Sequence, residues 1–246
     1  MDQLRHELRE GVRSVFVALG EVADDPLLEV HLELVTLLYR LGRLRALQDR
    51  VPDVDGVPEE DPGDTTYRLI PGDVALDSLR LTHHHYDHAE ADTDPNIVFP
   101  IQTLRELASD NVIAAVNDVH YSYGFTTRLR ELYEQTFPEI ADKVERSRTK
   151  LVLLTAGCPE TCHRSIANLA REIEARGVPT LIISASPAAT ESVRPPRAMT
   201  FAGSAVGRII GRAGDRAIHK KVVRAALEMF THDTPPGKVV VKNIAS

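Results

Sequence analysis

Two cysteines lie four residues apart, directly after one of the longest apolar runs of the chain. They are Cys158 and Cys162, and they are the only two among 246 residues. The apolar run at 150–156 predicts a strand buried on both faces, followed by a helix over about 159–176 and a second strand at 179–184. Such a unit implies parallel strands, and open α/β sheets bind ligands beyond the carboxyl ends of their strands. The pattern therefore places Cys158 where chemistry is expected.

The predicted helix favours the thiolate form of Cys158. With Pro159 as the first helical residue, Cys158 takes the cap position, where unpaired N–H groups and the helix dipole lower the pKa of a thiol. Cys162 lies one turn further on the same face, which permits a reversible disulfide. His163 follows directly and is a candidate catalytic imidazole. A purely structural, buried cysteine pair is the alternative interpretation, because free cysteine is commonly a core residue.

A second polar cluster precedes the cysteines by about seventy residues. It contains four histidines and an aspartate within six positions: His83, His84, His85, Asp87 and His88. Imidazoles pack poorly in a core unless they are hydrogen-bonded, whereas they ligate metals and transfer protons near neutral pH. The cluster therefore predicts a site, with a polar surface loop as the alternative.

The spacing of this cluster also resembles that of a metal-dependent hydrolase family. His83-x-His85-x-Asp87-His88 fits the H-x-H-x-D-H motif of the metallo-β-lactamase superfamily, whose dinuclear zinc site activates water. The resemblance implies that these four residues bind zinc or iron in a hydrolase or lyase. The other motifs of that superfamily are absent from the sequence.

A third candidate is the basic loop at 194–197. Arg194 and Arg197 flank two prolines, so a rigid loop could hold a carboxylate or phosphate of the substrate. A surface turn is an equally simple interpretation of the same four residues.

The order of the predicted elements indicates an α/β fold, with a mainly parallel sheet covered by helices and preceded by a helical hairpin. We divide the chain into a helical hairpin extension (1–50), an acidic Pro/Gly linker (51–64) and an α/β domain (65–246). Apolar periodicity predicts two helices in the hairpin, the second running from the Asp24-Asp25-Pro26 start through Leu41. The remaining predicted strands lie at 67–70, 79–82, 97–101, 112–116 and 238–242, and the remaining helices at about 126–146 and 216–230.

Composition and charge exclude several classes of function. The net charge of −7 argues against a general nucleic-acid binder. The apolar runs fall far short of the ~20 residues that span a bilayer, so no membrane association is expected. The amino-terminal residues lack the basic start and apolar stretch of a secretory signal, and we expect a cytoplasmic protein. The helical hairpin is expected to support a homo-oligomer.

A series of short motifs, taken in order, resembles the glycine/sarcosine/betaine/D-proline reductase selenoprotein B family. The motifs that carry the resemblance are His83–His88 with Asp92 and 94–100, 104–107, 120–122, 151–155, Cys158 to His163, 171–180, 194–198 and 211–215. Together they cover about residues 67–235.

The resemblance implies a reductase component that uses a selenocysteine or cysteine as nucleophile. In this family that residue attacks the carbon bearing nitrogen of a small substrate, whose amine is held on a pyruvoyl group of another subunit. The resemblance makes Cys158 the nucleophile and Cys162 the resolving thiol. It also implies substrate contacts from His84 and His120, and a second reductase subunit or an external thiol as electron donor.

We therefore predict a cysteine-dependent redox enzyme that acts on a small amino-acid-like molecule by reductive cleavage or sulfur transfer. Two alternatives remain open at this point. One is the metal-dependent hydrolase or lyase centred on the histidine cluster, and the other is a non-catalytic accessory subunit that binds a partner through its amino-terminal helices.

Overall fold

The fold was determined as a computed structural model, which describes residues 31–37, 63–81, 85–126, 128–231 and 234–244. For residues 31–37 it describes the backbone. The first helix of the predicted hairpin, most of the predicted linker, His83 and His84 lie outside the described residues.

Within the described residues, eight strands form one sheet in the order β2-β4-β1-β5-β6-β7-β8, with β3 pairing with β1 beside β4. Every pairing is parallel except that of β2 with β4, which is antiparallel. The strands are β1 (His31–Leu37), β2 (Tyr67–Pro71), β3 (Ala115–Val116), β4 (Val119–Tyr123), β5 (Leu151–Ala156), β6 (Thr180–Ile183), β7 (Ala198–Phe201) and β8 (Val239–Lys242).

Helices connect these strands and cover both faces of the sheet. They are α1 (Ala89–Thr93), α2 (Ile101–Ser109), α3 (Leu129–Glu131), α4 (Phe137–Arg146), α5 (Thr161–Glu174), α6 (Pro187–Glu191) and α7 (Arg216–Glu228). A π-helical turn, Leu132–Thr136, joins α3 to α4, and short 3₁₀ turns lie at Leu76–Ser78 and Pro95–Ile97. None of the helices in the described part of the chain is long and apolar enough to cross a membrane.

The core consists of two buried clusters, one on each face of β5. Leu151 and Leu153 pack with the cluster that includes α2 and α7, while Val152 and Leu154 pack with the cluster that includes α4 and α5. Side chains alternate between the two faces along a strand, so burial of all six β5 residues requires cover on both sides. The predicted doubly buried strand is confirmed.

The fold class and the predicted strand–helix–strand unit are confirmed, with α5 beginning at Thr161 rather than at Pro159. The prediction of a second amino-terminal helix is wrong at His31–Leu37, because these residues form β1. The backbone of β1 lies between β4 and β5 and pairs with β5 over six positions, so tertiary hydrogen bonding overrides the helical periodicity.

Three predicted strands also need correction. The strand predicted at 97–101 is instead the end of a 3₁₀ turn, a short irregular stretch and the first residue of α2. The stretch 79–81 contains no strand, and the strand predicted at 112–116 shrinks to β3. Residues 97–99 are fully buried in the core, so their apolar character reflects burial and not a place in the sheet.

Candidate functional site

The two cysteines lie where β5 leaves the sheet and α5 begins. β5 ends at Ala156, and Cys158 follows after one glycine. The cap residue of α5 is Glu160, whose side chain makes no capping hydrogen bond. Instead, the backbone N–H of Cys162 donates to Sγ of Cys158 at 3.4 Å. The sulfur of Cys158 therefore accepts one of the N–H groups that a helix start leaves unpaired, although Cys158 is not itself the cap residue.

Both cysteines are thiols that form no disulfide, and both lie in a closed, mainly apolar environment. Cys158 is 4% exposed and Cys162 is 3% exposed, and both belong to the buried cluster under α4 and α5. Burial agrees with the alternative interpretation, in which the two cysteines are a structural pair in the core. It also means that no substrate reaches either sulfur until the side chains above them move.

His163 contacts the site through the backbone and not through a sulfur atom. Its Nδ1–H donates to the carbonyl oxygen of Cys158 at 2.6 Å, and its Nε2 accepts from the N–H of Ala185 at 3.0 Å. Ala185 lies just beyond β6, so the ring links the carboxyl ends of two neighbouring strands. This pairing requires the neutral ring, and burial, the dominant effect, lowers the pKa of His163.

Two tyrosines that the sequence analysis did not select lie beside the cysteines. The ring of Tyr86 packs against Gly157, and a Cβ atom at Gly157 would lie 2.9 Å from the Tyr86 hydroxyl oxygen. Tyr123, at the end of β4, is buried in the same cluster as the cysteines. Burial raises the pKa of both phenols, and negative charge at Cys162 and Cys158 raises it further.

The hydroxyl of Tyr123 belongs to a short buried chain of hydrogen bonds. Ser165 Oγ donates to the carbonyl oxygen of Cys162 at 3.1 Å. Because this uses the only hydroxyl proton of Ser165, Tyr123 Oη donates to Ser165 Oγ, at 2.6 Å. The chain fixes the first turn of α5 to the end of β4. A buried strand that ends in tyrosine and then glycine is the sequence signal that could have identified Tyr123.

The described part of the histidine cluster crosses the carboxyl edge of the sheet. The ring of His85 lies 4.4 Å from that of Phe125, which follows β4. Asp87 accepts from the N–H of Ala89 at the start of α1, and His88 Nδ1 lies 2.8 Å from Asp92 Oδ2. Tyr86 is thus the member of this segment that lies beside the cysteines.

The described residues give the predicted metal site no support. No group of three or more histidine, cysteine, aspartate or glutamate side chains in this part of the chain is arranged to hold a metal ion. His85 faces an aromatic ring, while Asp87 and His88 bind neighbours in their own segment. The full predicted set of four ligands includes His83, which lies outside the described residues.

Of the predicted substrate-binding residues that the structure describes, His120, Arg194 and Arg197, none lies at the cysteines. His120 is fully buried on β4, and its ring packs edge-on against Phe99 in the other core cluster. Arg197 immediately precedes β7, so it lies at the amino edge of the parallel sheet, opposite the cysteines. Arg194 is an exposed residue in the loop before it. His84 lies outside the described residues.

Comparison with known proteins identifies the family. The model of the glycine/sarcosine/betaine reductase selenoprotein B family matches residues 72–157. The D-proline reductase subunit gamma of Acetoanaerobium sticklandii is 32% identical over 179 residues, which cover 72% of this chain and 73% of that protein. The chain belongs to the selenoprotein B family. The family match includes Tyr86 and His120 and ends one residue before Cys158.

Further members of the selenoprotein B family match over shorter segments. The glycine reductase complex component B subunit gamma of Symbiobacterium thermophilum is 29% identical over 112 residues, 44% of this chain and 25% of that protein. The betaine reductase complex component B subunit beta of Peptoclostridium acidaminophilum is 30% identical over 100 residues, 41% of this chain and 23% of that protein. The chain thus matches about a quarter of each of these two proteins. No solved structure matches the chain.

Proposed function

We propose that this protein is the thiol-bearing component of a reductase that cleaves a bond to carbon in a small amino-acid-like substrate. The observation that carries the proposal is the sulfur of Cys158, which accepts the Cys162 N–H at 3.4 Å where α5 begins. A second thiol follows four residues later in the same buried cluster. Membership of the selenoprotein B family supplies the reaction class.

The start of α5 favours a sulfur anion at Cys158, whereas burial of the sulfur acts in the opposite direction until the site opens. The first-turn N–H groups of α5 and the helix dipole both stabilise negative charge, and the side chain of Glu160 makes no capping bond that would compete. Thiolate is the nucleophilic form of cysteine, so a sulfur held at this point is poised for attack on an electrophilic carbon. His163 acts as a positioning residue, because it holds the Cys158 carbonyl at 2.6 Å.

The two thiols supply the two electrons of a reductive cleavage. In the first step the Cys158 sulfur forms a bond to the substrate carbon, the carbon–nitrogen bond breaks, and the departing nitrogen takes its electron pair and a proton. In the second step the Cys162 sulfur attacks the Cys158 sulfur, the sulfur–carbon bond breaks, and the carbon takes its electron pair and a proton. The products are the reduced substrate and a Cys158–Cys162 disulfide, which an external dithiol reduces.

The burial of both thiols and the names of the relatives favour a partner subunit. The relatives are named as subunits of D-proline, glycine and betaine reductases. We propose that this chain likewise works with a second subunit that presents the substrate amine. The isolated chain reaches the open state of the Cys158 sulfur, which is 4% exposed, by transient local opening, and docking of that subunit would stabilise the same open state.

Alkylation and disulfide trapping on the folded protein test the proposal. We expect iodoacetamide at pH 7 to modify Cys158 at least about ten times faster than Cys162, because thiolate is the reacting form. Oxidised glutathione should convert the wild-type protein to the internal disulfide.

The two single-cysteine variants are matched controls for each other. In Cys162→Ser the mixed disulfide with glutathione should accumulate on Cys158, because no resolving thiol remains. In Cys158→Ser both fast alkylation and disulfide formation should disappear. The proposal fails if both thiols of the wild-type protein react only after denaturation, which is the behaviour of a structural pair.

A further inference from the structure

The two edges of the sheet differ in how they are protected. The order of the described strands places β2 at one end of the sheet and β8 at the other. On β8, the Val239 N–H donates to the Glu191 carboxylate at 2.9 Å, and Lys238 pairs with the same carboxylate at 3.6 Å. Blocked backbone groups and lysines discourage a further strand from pairing with an edge. The β2 strand contains no lysine, and Leu69 at its centre is 55% exposed.

The backbone of β2 offers hydrogen bonds to an added strand. At the end of its antiparallel ladder with β4, the Gly72 N–H donates to the carbonyl oxygen of Asp118 at 2.6 Å. Bonded and non-bonded pairs alternate along such a ladder, so the even-numbered residues of β2 are the ones that bond to β4. The N–H and C=O groups of Tyr67 and Leu69, and the C=O group of Pro71, therefore point toward the open edge.

The side chains at this edge form an apolar patch. Leu69 and the exposed Pro71 lie on the same face of β2, and Val119, which is 36% exposed, lies opposite Pro71 on β4. Arg68 points to the other face, and its guanidinium binds the Asp64 carboxylate of its own chain. An apolar, locally neutral patch beside open backbone groups is a surface that another strand can extend.

We propose that β2 pairs antiparallel with β2 of a second copy of this chain, with Leu69 opposite Leu69 of the second copy. Each Leu69 N–H then donates to the Leu69 C=O of the other copy, and each Tyr67 N–H donates to the Pro71 C=O of the other copy. Pro71 has no N–H, and in this register it acts only as an acceptor. Arg68 lies opposite Ile70 of the second copy. A pairing centred on Arg68 would instead place two arginines directly opposite each other, which is destabilising.

This pairing leaves both cysteine sites open. The cysteines follow β5, which is separated from β2 by β4 and β1. The strands of the two copies run in opposite directions across the joint, so the two β5 strands end at opposite edges of the combined sheet. Each copy can therefore receive a substrate-presenting subunit independently. The inference stands apart from the proposed function, because neither cysteine takes part in the contact.

Sedimentation velocity of the full chain tests this interface. At about 50 µM the wild-type protein should sediment as a dimer that dissociates on dilution. Leu69→Lys places two like charges opposite each other at the two-fold axis and should weaken the dimer about a hundredfold or more. Val241→Lys, the matched control, adds the same charge on β8 at a residue that is 72% exposed, and should leave the dimer unchanged. Both variants should keep the wild-type circular dichroism spectrum.

A cysteine at the same position tests the register without adding a charge. Leu69→Cys, made together with Cys158→Ser and Cys162→Ser, brings two thiols onto residues whose Cα atoms lie about 5.5 Å apart, which suits a disulfide. Oxidised glutathione should cross-link most of this protein into dimers. Val241→Cys in the same background should form few cross-linked dimers, because its β8 edge makes no contact between copies.

Three results would overturn the inference. The first is a wild-type chain that sediments as a monomer at the concentration given above. The second is a Leu69→Lys dimer as stable as that of the wild-type protein, which would place the interface on another surface. The third is equal cross-linking of Leu69→Cys and Val241→Cys, which would mean that the two β2 strands do not meet at Leu69.

Discussion

At the scale of single residues, side-chain hydrogen bonds hold the backbone next to Cys158 in a fixed position. His163 satisfies the carbonyl of Cys158 and the N–H of Ala185, so one neutral ring fixes the loops that follow β5 and β6. Protonation of the ring would remove the acceptor for Ala185 and place a charge in a buried cluster. The site therefore depends on a histidine that stays neutral.

This neutral histidine predicts a pH dependence of stability. The pKa of buried His163 lies below its ordinary value of 6.5. Its contribution to the free energy of unfolding is present above that pH and is lost as the pH falls, because the unfolded chain takes up a proton that the folded chain excludes. Urea unfolding between about pH 5 and 7.5 should show this loss in the wild-type protein and a smaller one in His163→Gln.

A neighbouring variant separates titration from the loss of a hydrogen bond. Ser165→Ala removes a buried hydroxyl of the same helix but no titrating group. It should lower the free energy of unfolding by about 1 to 2 kcal/mol at every pH in this range. If the wild-type and His163→Gln curves run parallel, the assigned role of the ring is wrong.

At the scale of elements, the amino edge of the sheet has its own polar cluster, separate from the cysteines. Glu174, at the end of α5, accepts from the Thr180 backbone N–H at 2.9 Å and from the Arg197 side chain at 3.2 Å. Arg197 also donates to the Thr180 carbonyl oxygen at 2.8 Å, and its guanidinium lies over the ring of Phe230. These contacts join α5, β6 and β7.

Arg197 is therefore expected to stabilise the fold and not to bind substrate. Arg197→Met should lower the free energy of unfolding by about 1 to 3 kcal/mol, because Glu174 and the Thr180 carbonyl lose a donor. The rate of Cys158 alkylation in the folded protein should stay at the wild-type value. Unaltered stability of Arg197→Met would contradict this structural role.

The elements predicted best are those in which the spacing of apolar residues matches their burial in the structure. The β5–α5–β6 unit follows from an apolar run, a helical period and a second apolar run. Residues 31–37 also show helical periodicity, yet they pair with β5 over six positions. The spacing of nearby residues does not reveal which strands pair over long distances in the sequence. Tyr86 was not selected for a related reason, since the two glycines against which its ring packs lie 71 and 121 positions further along the chain.

At the scale of the whole molecule, the site lies where the two buried clusters meet. Tyr86 packs against both of them, and the cysteines belong to the cluster under α4 and α5. The ends of β4, β5 and β6 supply Tyr123, Cys158 and Ala185 to this region. A reaction at a sulfur so enclosed requires an opening that leaves the rest of the sheet folded.

Such an opening predicts that Cys158 reacts independently of global stability. Leu104, on α2, is fully buried in the opposite cluster, and Leu104→Ala should lower the free energy of unfolding by about 2 to 5 kcal/mol. If Cys158 is reached by a local opening, its alkylation rate without urea should be the same in this variant as in the wild-type protein. If it is reached only by global unfolding, the rate should rise by about 30-fold or more. That rise would mean that the folded protein never presents its sulfur, and it would contradict the assignment of Cys158 as a nucleophile.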